Sequence, residues 1–362
     1  MTLAPDTARA WVDIDLGALV SNARTVAAAC GARLLPMLKA NGYGLGAIEV
    51  ARALEALGPW GYGVATPEEG AALREAGIIR PILVATPLVA AAVERHLGAD
   101  LRPSIGDLEA LQAWCARSER PFHVEIDTGM SRAGFRWDDD SSLETLAGVL
   151  RDAAGWEGIY THFHSAETDP RSVACQWERF QAVTTRLPRR PALVHAANSA
   201  AALRGTAYAG DLVRPGIFLY GGDAGGPPPR AVAALRARVV AVRRVQAGDT
   251  VSYGGEWRSD RPQVIATVGV GYADGVHRAA AVAGTPERRV ELHGRAVPVV
   301  GRVTMDMTMV AAGGLPVAVG DVVTVFGERV SLDEQARAAG TIPYELLTSL
   351  GPRVPRRYHR TS

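Results

Sequence analysis

Residues 33–38, RLLPML, are a short apolar run that ends directly on a lysine, and the same kind of run returns along the next 180 or so residues. The repeats are 61–65 (GYGVA), 80–84 (RPILV), 100–103 (DLRP), 122–127 (FHVEID), 157–161 (EGIYT), 192–195 (ALVH) and 211–214 (DLVR). Between them lie Ala/Leu/Glu/Arg segments of helical period. One is 67–76, with Pro67 in its first turn and Gly77 closing it; another is 107–117, with Asp107 as the N-cap. Eight strands, each followed by a helical segment, predict a (β/α)8 TIM-type barrel. No GxGxxG follows the first strand, which argues against a dinucleotide-binding sheet.

Outward from this core the sequence changes its grammar. Residues 221–229 (GGDAGGPPP) are a Gly/Pro block and read as a linker. Beyond it, short Val-rich runs broken by Gly and Asp (236–245, 249–253, 263–270, 289–292, 296–303, 307–310 and 321–326) predict a mainly β domain. The expected division is an α/β barrel over 1–225 and a C-terminal β domain over 226–362. The opening WVDIDLGALVSNA gives a short strand, assigned to pair with the β domain, and then an amphipathic helix entered at Asp15. The basic tail, 353–360, reads as a solvated terminus.

Composition narrows the possible chemistry. With 48% hydrophobic and 21% charged residues the chain is globular rather than disordered. A net charge of +1 without a basic run in its body predicts no nucleic-acid partner. No apolar stretch approaches a membrane span, and residues 1–10 lack a basic n-region and an apolar h-region, so a cytoplasmic address and no membrane partner are expected. Cys30, Cys115 and Cys175 are odd in number and widely spaced, which predicts packing residues rather than disulfides or a metal site. Of the 39 Lys plus Arg, only Lys39 is a lysine. Arg can serve for ion pairing, but a guanidinium is not a practical amine nucleophile. By itself a lone lysine could be chance.

Barrels place their chemistry at the carboxyl ends of strands. Here those ends hold Lys39, Asp127 and Arg132, His162 and His164, His195, Asn198 and Ser199, and Arg214. The loops after strands seven and eight, HAANSAA and VRPGIF, offer a Ser hydroxyl at a helix start and a glycine that lets backbone N–H groups approach an anion. Ser199 acting simply as an N-cap is the plainer reading of the first loop. A lysine, a phosphate cradle and a nearby Arg together point to pyridoxal 5'-phosphate, whose aldehyde needs an amine.

MLKANGYGLG (37–46) resembles the cofactor-binding signature of the alanine racemase family, which is pyridoxal-phosphate-dependent and of fold type III. The resemblance continues through DTGMSRAG (127–134), THFHSAE (161–167), HAANSAAAL (195–203), VRPGIFLYG (213–221), VSYGG (251–255), GVGYADG (269–275), GRVTMDMTMV (301–310), IPYELL (342–347) and RVPRRY (353–358). It implies that Lys39 carries the cofactor and serves as base on one face of the substrate. It further implies that Tyr253, from a second subunit, serves on the other face in a homodimer with shared active sites. Tyr43, Asn198, Ser199, Gly216, Ile217 and Tyr344 are implied around the cofactor, with Arg214 at its ring nitrogen and His162 linking Arg214 to Tyr253. Arg132, Tyr272 and Met305 are implied in substrate binding, with Glu125 and Asp306 in support and no metal.

The implied function is interconversion of L- and D-alanine for peptidoglycan, with a broad-specificity or serine racemase as the alternative. A non-catalytic cofactor carrier needs no β domain bearing Tyr253. A barrel-plus-β decarboxylase relies on a β-domain cysteine, whereas all three cysteines here precede the linker. Two departures from the family pattern stand out. Glu125 occupies a position where a carbamylated lysine is common, which implies that its carboxylate substitutes for the carbamate. Glu167 stands where a shorter Asp is common near the entrance.

Overall fold

The computed structural model describes residues 7–278 and 287–361. The chain enters on β1 (Ala10–Asp15) and turns directly into helix Leu16–Cys30, whose first N–H groups, at Gly17 and Ala18, donate to Asp15 Oδ1 at 2.8 and 3.0 Å. That is the strand, the cap and the helix expected from WVDIDLGALVSNA.

The barrel strands follow as β2 (Arg33–Leu34), β3 (Tyr62–Val64), β4 (Ile82–Pro87), β5 (Arg102–Ile105), β6 (Phe122–Asp127), β8 (Trp156–Tyr160), β9 (Leu193–His195) and β10 (Leu212–Val213). The two-residue strand β7 (Phe135–Arg136), which the sequence did not suggest, pairs alongside β6. All eight run parallel in the order β2-β10-β9-β8-β6-β5-β4-β3. A parallel bridge between Met37 and Gly63, with Leu38 N–H donating to Gly63 O at 2.6 Å, closes the ring. The predicted 33–38 run is therefore broken: after Leu34 the prolyl nitrogen of Pro36 has no N–H to offer, and the ladder resumes at Met37.

Capping residues set the intervening helices. Thr66 Oγ1 accepts from Glu69 N–H at 3.3 Å ahead of helix Pro67–Glu75, and Asp107 Oδ1 from Ala110 N–H at 2.8 Å ahead of helix Leu108–Cys115. One expectation fails here, because β10 is followed by a single 3-10 turn (Ile217–Tyr220) rather than a helix. Helix Leu16–Cys30 packs on that turn, and Asn22 Nδ2 donates to Arg230 O at 3.0 Å while its Oδ1 accepts from Arg230 N–H at 2.8 Å. The helix that precedes the barrel thus covers the face that the missing eighth helix leaves open.

The second half is built on β11 (Ala233–Val245), with β12 (Thr250–Val251), β13 (Trp257–Arg258), β14 (Gln263–Val268), β15 (Arg289–Leu292), β16 (Arg295–Pro298), β17 (Thr308–Gly313), β18 (Val322–Phe326) and β19 (Arg356–His359). Its main sheet runs β16-β15-β18-β11-β1-β19. β11 pairs with β1 through Ala233–Ala237 and with β18 through Leu235–Arg238, then with β14 from Val239 onward, that last ladder bulging between Val239 and Ala241. β1 lies antiparallel to β11, so the first strand of the chain belongs to the second half's sheet. Two short helices, Leu332–Ala338 and Pro343–Thr348, follow the last expected strand run and precede β19.

Two further readings are corrected. The basic tail is not a solvated terminus: β19 pairs parallel with β1, Arg356 donates to Gly44 O at 3.0 Å, and Tyr358 OH to Leu45 O at 2.9 Å. Guanidinium donors that meet backbone carbonyls allow so polar a strand to dock. Of the cysteines, Cys30 is buried and Cys115 half-buried, but Cys175 is exposed and packs no core. Among the described residues no helix is long and apolar enough to cross a membrane. The expectations that fall on residues 1–6, 279–286 and 362 lie outside the described residues.

Candidate active site at the mouth of the barrel

Lys39 leaves the barrel on a turn of unusual hand. Ala40, Asn41, Gly42 and Tyr43 all have positive φ, at 53, 53, 61 and 54°, and make a short left-handed turn. Each non-glycine residue in that region costs about 1–2 kcal/mol, somewhat less for Asn. The turn is held from outside: Glu69 accepts from Ala40 N–H at 2.6 Å and from Ala65 N–H at 2.7 Å, and Asn41 Oδ1 accepts from Ala47 N–H at 3.0 Å. Lys39 is thereby set at the lip of a pocket beneath the carboxyl ends of the strands. Burial, then the positive charges of Arg132 and Arg214, push its ammonium below the ordinary lysine range, with Glu69 acting the other way.

Opposite Lys39, the last two strands supply a polar cradle. Asn198 caps helix Ser199–Leu203 by accepting from Ala201 N–H at 3.0 Å. Ser199 is therefore not the N-cap; its Oγ accepts from Gly216 N–H at 2.8 Å and joins the two loops. A side chain at residue 216 would collide with the hydroxyl of Tyr43, so only glycine fits against that ring. Tyr43 stacks on Tyr220 at 4.4 Å, and burial raises its phenol far above the ordinary range. Tyr344, from the second half of the chain, closes this side, its ring 6.0 Å from Tyr43 and its OH donating to Glu167 Oε1 at 3.2 Å. Ile217 completes the wall.

The floor is a buried guanidinium. Arg214 donates to Thr161 O at 2.8 Å and Ala196 O at 3.0 Å; its Nη1 lies 2.7 Å from His195 Nδ1 and its Nη2 3.3 Å from His162 Nδ1. Burial lowers Arg214 to about 10, yet it remains a cation at neutral pH. His162, half-buried beside Arg214, Arg132 and Lys39, is held neutral by its desolvation and those charges, well below the ordinary imidazole range. On the remaining side Glu125 Oε1 stands 4.0 Å from Arg132 Nη2, and Tyr160 OH donates to Glu125 Oε2 at 2.9 Å. Burial raises the Glu125 carboxyl, against the pull of Tyr160 and of the Arg132 charge.

The pocket therefore brings together Lys39, Tyr43, Arg132, His162, Asn198, Ser199, Arg214, Gly216, Ile217 and Tyr344. Asp127 is beside it but serves the DTG turn, accepting from Gly129 and Ser131 N–H groups at 2.9 and 3.0 Å. His164 points elsewhere, to Ser165 Oγ at 2.6 Å. Tyr253, Tyr272, Met305 and Asp306 do not line the pocket of their own chain. Tyr253 stands on a turn entered through Ser252 at φ 69° and is 68% exposed; Tyr272 and Met305 are 41% and 52% exposed. Their loops are cross-bonded, Tyr272 N–H to Thr304 O and Ser252 Oγ to Arg302 O. Arg353 ties Asp306, at 2.6 Å, to the buried Asp274 at 2.7 Å. The His162 link to Tyr253 is thus not made within one chain.

Tyr160 and Glu69 were not anticipated. Tyr160 lies within the predicted strand 157–161 and ends β8, and its hydroxyl works across the barrel, which period alone cannot show. Glu69 had a visible signal, as the third residue after the Thr66 cap.

Known proteins resemble this chain in sequence and in fold. Residues 14–224 match the family described as alanine racemase, N-terminal domain, and residues 232–358 match alanine racemase, C-terminal domain. Alanine racemase of Rhizobium meliloti is 39% identical over 98% of this chain and 97% of its own length. Among solved structures, alanine racemase from E. faecalis is 32% identical with a TM-score of 0.89, covering 99% of this chain and 100% of that one. Alanine racemase from Bartonella henselae, solved with covalently bound pyridoxal phosphate, is 32% identical with a TM-score of 0.88, covering 97% and 100%. The chain belongs to the alanine racemase family.

Proposed function

We propose that this chain interconverts L- and D-alanine with pyridoxal 5'-phosphate, as a homodimer whose active sites are shared between subunits. The observation that carries this reading is the sequence's one lysine, set on a left-handed turn and facing a Ser199–Gly216 cradle and a buried, donor-only Arg214. These residues fit the cofactor. Lys39 offers the amine, and Ser199, Tyr43, Gly216, Ile217 and Tyr344 would surround the phosphate. Arg214 would meet the ring nitrogen, with His162 and Asn198 beside it. When bound, pyridoxal phosphate withdraws electrons from the substrate Cα and so acidifies its hydrogen.

Racemisation takes a proton from one face and returns one to the other, so two acid–base groups are required. Lys39 serves one face, and its lowered affinity for a proton suits removal of hydrogen near neutral pH. Tyr253 of the partner subunit serves the other. Its exposure, with that of Tyr272 and Met305 on bonded loops, supports a role completed only by association. Arg132 binds the substrate carboxylate, and the Glu125 carboxyl 4.0 Å away orients Arg132 without a carbamate. Arg214 cannot give a proton to the ring nitrogen in the way an acid would, which restrains charge accumulation on the cofactor and favours return of the proton over transamination. The domain division is 1–225 and 226–362, with β1 of the first stretch pairing into the second domain's sheet. The physiological setting is the cytoplasm, supplying D-alanine for peptidoglycan.

The test is to incubate the purified, cofactor-loaded protein separately with L-alanine, L-serine and L-lysine and to follow the D-enantiomers by chiral chromatography. Fastest conversion of alanine is expected. Faster conversion of serine or lysine contradicts the assigned substrate.

A further inference from the structure

Beneath the pocket the barrel core holds a line of polar side chains that the proton transfers do not use. His195 and His123 are both fully buried, with His195 Nε2 and His123 Nδ1 2.8 Å apart. At the upper end His195 Nδ1 faces Arg214 Nη1 at 2.7 Å. At the lower end His123 Nε2 lies 3.2 Å from Glu157 Oε2, which also accepts from Arg102 Nε at 2.7 Å. His123 and Glu157 are each second in their strands, β6 and β8, at the amino-terminal end of the barrel and so opposite the lip that carries Lys39.

Both rings are held in place. His195 stacks on Tyr160 at 5.0 Å and 11°, and the ring of Trp60 lies 5.6 Å from that of His123. A Cβ at residue 158 would come within 2.6 Å of His123 Nδ1, so Gly158 provides the room the imidazole occupies.

The chemistry of the two ends fixes the direction of every hydrogen bond between them. A guanidinium only donates, so Arg214 requires a bare Nδ1 on His195. Neutral His195 then carries its proton on Nε2 and donates it to Nδ1 of His123. His123 in turn carries its proton on Nε2 and donates to Glu157, which when ionised can only accept. An added proton has no place: on His123 it would set Nδ1–H against the Nε2–H of His195, and on His195 it would set Nδ1–H against Arg214. Burial opposes protonation of both rings as well. Burial of Glu157 favours its protonated form, but the hydrogen bonds from His123 and Arg102 and the Arg102 charge together hold its carboxyl below the ordinary range.

We propose that Glu157 is a positioning residue for Arg214, acting across the barrel by locking His123 and His195 as Nε2–H tautomers so that Arg214 is held as a one-way donor at the cofactor's ring nitrogen. The proposal rests on the placement of Arg214 beside that nitrogen. The carboxylate polarises both imidazoles, so that His195 presents Arg214 with a stronger acceptor than an isolated ring would.

The test reads tautomers by long-range 15N–1H correlation in the cofactor-loaded protein labelled with 15N-histidine, the two rings being assigned with His123→Gln and His195→Gln variants. Both rings are expected neutral with the proton on Nε2. An Nδ1–H tautomer or an imidazolium at either position overturns the proposal. Glu157→Leu is expected to lose the single tautomer at His123 and to lower kcat about tenfold with KM for L-alanine little changed, the size of effect typical of a supporting hydrogen-bond partner. Glu157→Gln, which keeps an acceptor oxygen, is expected to restore the tautomer and most of kcat. Unchanged tautomers and unchanged kcat in Glu157→Leu overturn the proposal. If Glu157→Leu does not fold, the tautomers of the unaltered protein decide the matter alone. An unaltered protein that shows the Nε2–H pair but does not racemise alanine supports the relay and contradicts the functional reading instead.

Discussion

Three residues state the chemistry most compactly: Lys39, Arg132 and Glu125. Arg132 is half exposed while Glu125 is almost fully buried, and at 4.0 Å they form a loose pair braced from behind by Tyr160. Removing the buried carboxylate leaves Arg132 free to swing without disturbing Lys39. Glu125→Ala is therefore expected to raise KM for L-alanine about tenfold, near 1.4 kcal/mol of binding, with a smaller change in kcat. Steady-state kinetics in both directions measure this; unchanged KM would mean that Glu125 does not orient Arg132. Lys39 and Arg214 were legible in the sequence because covalent chemistry and strand ends restrict which residue can stand there. Tyr160 was not, because its hydrogen bonds join strands that are distant in sequence.

At the scale of elements, the left-handed turn after Lys39 is the strained piece of the site. Ala40 has φ 53° and an exposed side chain, so its methyl contributes strain without packing. Ala40→Gly should raise stability by up to about 1 kcal/mol in urea unfolding, because glycine accepts this conformation without penalty. The freer turn should also hold Lys39 less firmly, so kcat should fall; a variant that gains stability and keeps full kcat would show that the strain has no role in placing the amine. The full turn could not be foreseen from KANGY, in which Asn41 and Gly42 signal positive φ but Ala40 and Tyr43 do not. Helix Leu332–Ala338 did carry a signal, the capping box of Ser331 and Glu334, which the preceding Val-rich runs obscured. Strand β19 carried none, since RRYH looks like a charged end until Gly44 and Leu45 supply its acceptors. The barrel strands were readable for the opposite reason: most of their residues are buried, so they stand out as short, mainly apolar runs between turn residues.

For the whole molecule, burial of neutral histidines sets the response to acid. His96, His123, His162 and His195 all have lowered proton affinity in the fold. In the unfolded chain each titrates near about 6.5, so below that pH the unfolded state takes up protons that the native state refuses. Stability should accordingly fall with pH by up to about 1.4 kcal/mol per unit for each such group until its native value is reached. Glu125, whose carboxyl is raised, acts in the opposite sense above the ordinary carboxylate range. Urea midpoints between about pH 7.5 and 5.5 should decline steadily, and a flat profile would contradict neutral burial of these rings.

The central claim is that one site takes Lys39 from one subunit and Tyr253 from the other, and mixing two inactive variants tests it most directly. Lys39→Ala and Tyr253→Phe proteins are each expected to be nearly inactive in racemisation. In a mixed dimer one site loses both residues and the other regains both. Random reassortment of equal amounts should therefore restore about a quarter of the activity of the unaltered protein. Mixed dimers that form but show no recovery would contradict the shared site, because that result requires both residues to act within the same chain.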